Sequence, residues 1–219
     1  MNLFDIIGPV LIVPSCSHTG GAGRIGKVAL KILGEQSVKA EIGLEGSFAE
    51  TYNGHGTDKA LIAGIMGMES DDERIRCALE LAKEQGLDYS FHKISLSGAH
   101  PNTACISLTG ETGKTCSIQA SSIGGGNIRV TQINGMEVSF TGQYHTLVVL
   151  HYDRPGTIAA VTNYIAGSDV NIGNFRLSRP KKGGEAVMTI EVDGGVSETM
   201  VEGMKLLPNV IQVVLIEAI

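Results

Sequence analysis

The chain has 219 residues and 42% hydrophobic residues, which is enough for one domain or two small domains with a buried core. Its net charge of −6, without a basic face, excludes a typical nucleic-acid-binding protein. Membrane-length apolar runs and signal-peptide features are absent, and the four scattered cysteines favour reduced thiols, so we expect a cytoplasmic protein without a membrane anchor.

Residues 1–142 are predicted to form a mixed α/β domain. A helix is expected after Gly26, with Gly34 as its C′ residue, and a second at 57–66. A third is expected from about residue 71 to Gln85, where residues 70–73 resemble a capping box. Cys77 falls on the apolar side of this third helix and is predicted to be buried. Strands are expected at 6–13, 38–46, 88–96, 103–109, 115–121 and 128–133.

Residues 146–219 are predicted to form a second domain with the element order βαββαβ. Turn residues at 179–184 predict a hairpin, and Ser197 predicts a helix N-cap. Four strands covered on one face by two helices make a ferredoxin-like fold. The predicted strands are 146–152, 170–178, 185–192 and 210–216, and the predicted helices are 157–166 and 197–207.

The turn at 153–156, followed by a helix and by Asn171, resembles the ACT domain, a small regulatory module that binds amino acids. Its proline fixes φ at the helix start, and Gly156 lets a ligand carboxylate or amine approach. The alternatives are a loop that only connects two elements and a module that only dimerises. The candidate residues for a regulatory ligand are Asp153, Arg154, Pro155, Gly156, Asn171 and Ile172.

The most informative stretch of the first domain runs from Ser17 through His18 and Thr19 to the glycines at 20–26. These glycines are expected at a helix N-terminus, where free N–H groups favour a phosphate or a carboxylate. Two alternatives remain open. One is the G-x-G-x-x-G motif of a dinucleotide fold, which the polar loop before the glycines disfavours, and the other is a purely structural glycine turn.

Three further polar loops precede helices or strands in this domain, at 54–59, 100–103 and 122–127. Each has a structural alternative, because His55 can cap a helix, Asn102 can satisfy a turn, and the three successive glycines at 124–126 can mark a bulge. Together the loops predict one pocket wall. Since neither a catalytic triad nor metal-ligand spacing completes a mechanism, and the histidines lack zinc spacing, the chain is interpreted as half of an active site.

Segments 15–26, 46–61, 100–103 and 122–126 resemble the β subunit of iron–sulfur-dependent L-serine dehydratase. With the ACT module, this resemblance covers the whole chain. The family usually has serine where this chain has Cys16, which removes one possible hydroxyl contact. The N-terminal part also resembles the substrate-binding domain of some phosphoglycerate dehydrogenases, where it binds regulatory anions.

The resemblance implies a lyase subunit that is inactive alone and works with an α subunit. That partner is expected to carry the catalytic domain and the cysteines of a 4Fe-4S cluster, whereas no metal ligand is expected on this chain. The family reaction uses a cluster iron as Lewis acid on the serine hydroxyl while a base removes the α-proton. Aminoacrylate then gives pyruvate and ammonia.

The resulting hypothesis is a β subunit whose loops line or gate the serine pocket in a heterodimer or larger complex. Ser17, His18, Thr19, Asn102 and Thr103 are expected to hold the substrate carboxylate. The alternative is a non-catalytic amino-acid or small-anion sensor that acts through an ACT-mediated homodimer. The full set of expected substrate-binding residues is Ser17, His18, Thr19, His55, Thr57, Asp58, Lys59, His100, Asn102, Thr103, Ser122, Gly124 and Gly125.

Overall fold

The computed structural model describes residues 19–218, which divide along the chain into two compact units after Asn134. The strand expected at 6–13 and the residues Cys16, Ser17 and His18 lie outside the described residues. In the described range, the helices are all too short or too polar to cross a membrane.

Within residues 19–134, the first unit has one strand between its first helix and a run of further helices, and four more strands follow. The strands lie in the order β2-β1-β3-β4-β5; β1 and β2 are parallel, and the other neighbouring pairs are antiparallel. The elements are α1 (Gly21–Leu33), β1 (Ser37–Leu44), α2 (Gly46–His55), α3 (Thr57–Ile65), a 3-10 helix (Glu73–Cys77), α4 (Ala78–Glu84), β2 (Asp88–Lys93), β3 (Thr103–Gly110), β4 (Thr115–Gly124) and β5 (Asn127–Ile133).

Helix α1 packs its apolar face against β3 and β4. Ile25, Val28 and Ile32 lie on this face and are buried, which accounts for the helical spacing of the apolar residues. The helix ends at Gly34, whose φ of 78° is left-handed and whose N–H donates to the Leu30 carbonyl at 2.9 Å. The prediction of a C′ glycine is confirmed.

Helices α1 and α3 approach so closely that their backbones touch. A Cβ atom built on Gly64 would lie 1.9 Å from the Gly23 carbonyl oxygen, and one built on Gly26 would lie 2.3 Å from the Leu61 carbonyl oxygen. Helix α1 begins at Gly21, so the prediction that it begins after Gly26 was wrong. Glycine is required at positions 26 and 64, because only a residue without a side chain permits this contact. A Cβ atom built on Gly23 would lie 3.4 Å from the Ala60 carbonyl oxygen, which is an ordinary contact distance.

The prediction of a helix from residue 71 was wrong about where the helix begins and which residue caps it. This segment begins with the 3-10 helix at Glu73. Its cap is Asp72, whose Oδ1 accepts a hydrogen bond from the Arg74 N–H at 2.9 Å. Cys77, predicted to be buried, is exposed, and its Sγ donates to the Arg74 carbonyl at 3.3 Å. A 3-10 helix turns every three residues, so it directs Cys77 away from the face that an α-helical period predicts.

The second unit contains the predicted βαββαβ order. Its sheet is antiparallel with strand order β10-β7-β9-β8, which confirms the ferredoxin-like prediction. Ser197 caps α6 by accepting a hydrogen bond from the Met200 N–H at 3.1 Å, as predicted. The elements are β6 (Met136–Phe140), which was not predicted, β7 (His145–Tyr152), α5 (Thr157–Gly167), β8 (Asn171–Ser178), β9 (Glu185–Asp193), α6 (Glu198–Lys205) and β10 (Val210–Ile216).

The core of the second unit lies between the sheet and its two helices. Val149 and Ile190 from the sheet pack with Val161 and Ile165 of α5 and with Met204 of α6. Strand β6 packs against β8 and β9. The apolar residues that recur every second position in the strands and at helical spacing in α5 and α6 therefore form one apolar layer.

Candidate functional site

The polar loops that the sequence singled out are joined directly in the first unit. Thr19 Oγ1 donates to the His55 carbonyl at 3.3 Å, and the Ser122 N–H donates to the Asn102 carbonyl at 2.9 Å. A Cβ atom built on Gly21 would lie 2.0 Å from Ser122 Oγ, so the first turn of α1 packs on Ser122. Segments between residue 19 and residue 122 thus meet at one place.

Thr103 is the fully buried anchor of the turn at 100–103. Its Oγ1 donates to the His100 carbonyl at 2.6 Å and lies 2.7 Å from Ser121 Oγ. Because a hydroxyl has a single proton, Ser121 is the donor in the second bond. The Asn102 N–H donates to His100 Nδ1 at 3.1 Å. Thr103, expected to bind substrate, has its hydroxyl occupied by the protein itself.

Helix α2, which the sequence analysis missed, supports this turn. The Phe48 N–H donates to the Pro101 carbonyl at 3.2 Å, and the Glu45 N–H donates to the Thr103 carbonyl at 3.0 Å. A Cβ atom built on Gly46 would lie 2.9 Å from the Pro101 backbone. Glu45 and Ser121 were therefore missed as supporting residues, because their roles depend on partners distant in sequence.

The start of α3 contributes Thr57, Asp58 and Lys59. Gly56 precedes the helix with a left-handed φ of 74°, and among the described residues no side chain caps this end. Thr57 Oγ1 is buried and has no hydrogen-bond partner in the described part of the chain. His55, the last residue of α2, is exposed, and Lys59 is partly exposed. Both side chains are accessible at the junction of α2 and α3.

Asp58 is a buried carboxyl group, 5% exposed, at the start of α3. Its Oδ1 accepts a hydrogen bond from the Lys59 N–H at 2.8 Å. Burial raises the pKa of Asp58 above its ordinary value, and the bond from Lys59 opposes this shift. The folded protein therefore holds a proton on Asp58 more tightly than the unfolded chain does.

We expect Asp58→Asn to stabilise the protein more at neutral pH than in acid. The raised pKa means that the wild type loses stability as pH rises above about 4, whereas the asparagine of the variant cannot ionise and still accepts the Lys59 bond. Thermal denaturation from about pH 4 to about pH 8 measures the difference in Tm. Asp71→Asn, an exposed position, is the matched control. A difference in Tm that does not grow with pH contradicts the prediction.

The glycine run at 124–126 forms the end of a hairpin. Strand β4 reaches Gly124, and Gly125 and Gly126 have φ values of 60° and 79° before β5 begins. Two central residues with positive φ are typical of a type I′ turn, which favours glycine. The register also shifts between Ser122 and Gly124. Backbone geometry accounts for Gly124 and Gly125 without a ligand, in agreement with the bulge alternative.

Arg24 is a cation near these loops that the list of expected site residues omitted. It lies in the first turns of α1 and is partly buried. Burial lowers the pKa of Arg24 to about 10, so the guanidinium stays charged at neutral pH. The sequence signal that could have identified Arg24 is its position next to Gly23, since a cation near a helix start suits an anionic ligand.

The described residues do not fit an iron–sulfur cluster. Within residues 19–218, no three His, Cys, Asp or Glu side chains lie close enough together to hold a metal ion. Burial raises the pKa of the Cys116 thiol to about 11, and it also raises the pKa of Cys105. In the metal-free chain both thiols are therefore protonated at neutral pH.

In the second unit, the Asp153 carboxylate is bonded to the β8–β9 hairpin. It accepts hydrogen bonds from the Gly183 N–H at 3.0 Å and from Arg179 Nη1, and these partners lower the pKa of Asp153. Gly156 precedes α5 as its N-cap residue, with a left-handed φ of 89°. Among the residues expected to bind a regulatory ligand, Gly156 lies at an open turn. The Asp153 carboxylate instead holds the β8–β9 hairpin in place.

The remaining expected ACT residues have separate surroundings. Asn171 Nδ2 donates to Asp193 Oδ2 at 2.7 Å across β8 and β9. Ile172 packs against the apolar core of the unit, and Arg154 and Pro155 are exposed. The structure thus bonds Asp153 and Asn171 to different partners.

The fold is that of an ACT-domain protein with an N-terminal mixed α/β unit. Residues 2–87 match the family model "Serine dehydratase beta chain", and residues 147–212 match "AHAS small subunit-like ACT domain". The probable L-serine dehydratase beta chain of Bacillus subtilis (strain 168) is 43% identical over 97% of this chain and 96% of its own length. The L-serine dehydratase beta chain of Peptoniphilus asaccharolyticus is 38% identical over 91% of this chain and 90% of its own length.

A third similar protein is D-3-phosphoglycerate dehydrogenase of Bacillus subtilis (strain 168), which is 28% identical over 90% of this chain and 37% of its own length. The two beta chains match at higher identity and over nearly their full length. This chain belongs to the family of L-serine dehydratase beta chains, which are subunits of a lyase. The family resemblance predicted from the sequence is confirmed.

Proposed function

We propose that this chain is the cytoplasmic β subunit of an L-serine dehydratase, which deaminates L-serine to pyruvate and ammonia together with an α subunit. The joined polar loops of the first unit form one wall of the serine pocket. The observation that carries this proposal is the set of bonds from Thr19 to His55, from Ser122 to Asn102 and between Thr103 and Ser121. The names of the two beta-chain relatives support an α partner.

The side chains of this wall divide into two roles. Thr19 and Thr103 already donate to carbonyl groups of the chain, so they position the loops. His55 and Lys59 are accessible at the α2–α3 junction and contact the substrate carboxylate. A lysine ammonium group is a strong donor to a carboxylate, and an imidazole N–H adds an orienting bond.

The 4Fe-4S cluster belongs to the α subunit in this proposal. Its chemistry when bound is that of a Lewis acid for the serine hydroxyl. The contribution of this chain is to bind serine, orient its carboxylate and shield it from water. The placement of the cluster on the partner is supported by the geometry of residues 19–218, in which no three His, Cys, Asp or Glu side chains lie close enough together to hold a metal ion.

Reconstitution under anaerobic conditions tests the proposal. We expect the isolated chain to be inactive and the complex with the α subunit to deaminate L-serine. His55→Asn and Lys59→Met are expected to lower kcat/KM by about tenfold or more in an assembled complex, because each removes a polar contact to substrate. His92→Asn, an exposed histidine on β2, is the matched control. Activity of the isolated chain, or full activity of the α subunit alone, refutes the hypothesis that this chain forms half of the active site.

The ACT unit supplies a regulatory ligand site or a dimer contact in this proposal. The feature that favours a ligand is the start of α5, where Gly156 leaves the turn open and, among described residues, no side chain caps the helix. Free N–H groups at such an end suit a carboxylate.

Calorimetry with L-serine on the full chain distinguishes a sensor from a purely catalytic subunit. Tight binding that Asn171→Ala abolishes favours the sensor. Asn174→Ala is the matched control, because Asn174 also bonds a β9 carboxylate, with its Nδ2 at 3.0 Å from Glu191 Oε2. An equal loss of L-serine binding in both variants indicates that the substitutions changed the pairing of β8 with β9 and not a ligand contact.

A further inference from the structure

The Asn102 side chain extends from a turn whose backbone groups are already bonded. The Asn102 N–H donates to His100 Nδ1 at 3.1 Å, and its carbonyl accepts from the Ser122 N–H at 2.9 Å. The preceding carbonyl of Pro101 accepts from the Phe48 N–H at 3.2 Å. The side-chain amide is therefore the group of Asn102 that a ligand can use.

The amide oxygen of Asn102 is shielded from solvent and has no hydrogen-bond partner within residues 19–218. The residue as a whole is partly exposed. A shielded acceptor without a partner has lost its hydration without compensation. Because the Cβ–Cγ torsion of asparagine is broad, the oxygen can turn towards a molecule bound at the exposed side of the turn. A ligand that donates a hydrogen bond there compensates the loss.

The chemistry of this oxygen determines which group of an amino acid it binds. An amide oxygen only accepts hydrogen bonds, and a carboxylate also only accepts them. L-serine has two donor groups; in the proposed function its hydroxyl binds at the cluster of the α subunit, which leaves the ammonium group with its three N–H donors. We propose that Asn102 Oδ1 binds the α-ammonium group of L-serine, in place of the carboxylate contact that the sequence suggested. This inference rests on the proposed function and makes Asn102 a residue that selects amino acids over acids without an amine.

The ammonium and carboxylate groups of L-serine have opposite charges, so substitutions of Asn102 in the reconstituted α/β complex test which of the two it binds. Asn102→Ala removes the acceptor, and we expect KM for L-serine to rise about tenfold, which corresponds to about 1.4 kcal/mol. Asn102→Asp keeps an acceptor and adds a negative charge that attracts ammonium and repels carboxylate. We expect its KM to be near or below the wild-type value. Asn163→Asp, an exposed position on α5, controls for the added charge.

The outcomes separate this inference from the proposed function. A KM that is higher in Asn102→Asp than in Asn102→Ala shows a carboxylate contact, which overturns the ammonium assignment and leaves the pocket wall in place. Unchanged kinetics in both variants overturn the assignment because Asn102 then does not touch substrate. If Asn102→Ala does not assemble, Asn102→Asp is compared with the wild type alone, and a raised KM overturns the inference. The His55 and Lys59 variants test the pocket independently.

Discussion

Gly64→Ala is expected to lower the free energy of unfolding by about 3 kcal/mol or more. The added Cβ would lie 1.9 Å from the Gly23 carbonyl oxygen and 2.8 Å from the Lys27 nitrogen, and both atoms belong to the α1 backbone. A backbone cannot rotate away as a side chain can, so α1 and α3 must separate. In a thermal melt, Tm is expected to fall by roughly 10 °C.

The matched control is Gly54→Ala in α2. Apart from its chain neighbours and the backbone of its own helix, no described atom lies within 4 Å of the position of its Cβ. Since alanine favours helix over glycine, this variant is expected to be stabilised by about 0.5 kcal/mol. Similar Tm values for the two variants would show that the contact between α1 and α3 is looser than the structure indicates.

Thr103→Val is expected to destabilise the protein by about 2 kcal/mol. Valine has nearly the same shape but leaves the His100 carbonyl and the Ser121 hydroxyl without the partner that Thr103 supplies at 2.6 Å and 2.7 Å. Thr103 is fully buried, so water does not replace the lost bonds. Chemical denaturation of the isolated chain measures the loss.

A double-mutant cycle with Ser121→Ala checks the cause. Because the two hydroxyls bond to each other, Ser121→Ala is expected to cost less in the Thr103→Val background than in the wild type. Thr162→Val is the control, since its hydroxyl bonds to the Ile158 carbonyl of its own helix at 2.9 Å and its loss is expected to change stability by about 0.5 kcal/mol at most. Additive losses would indicate that the bond between Thr103 and Ser121 contributes little.

The second unit was predictable because its signals are local. Alternating apolar residues mark the strands, and Ser197 marks a helix start by a bond to a residue three positions on. The role of Asp153 was not predictable in this way. Its carboxylate bonds to Gly183 and Arg179. The turn residues predict the hairpin that contains these partners, but they do not indicate that it lies against Asp153.

The first unit shows where local patterns are insufficient. Helix α2 contains weak helix formers such as Gly54, and Phe48 is the residue that buries it in the core. Its stability therefore comes from contacts with the turn at Pro101 and Thr103. The glycines at 23 and 26 indicated a ligand loop, but their neighbour is another helix, which a single segment of sequence does not reveal.

The contact between α1 and α3 has a mechanical consequence for the pocket wall. Where side chains separate two helices, rotamer changes absorb small displacements; where backbone meets backbone, as at Gly23 and Gly64, the pair has little compliance. Thr19 precedes one of these helices and Thr57 begins the other. A force applied to either helix therefore moves both polar starts together, and the spacing between them is preserved.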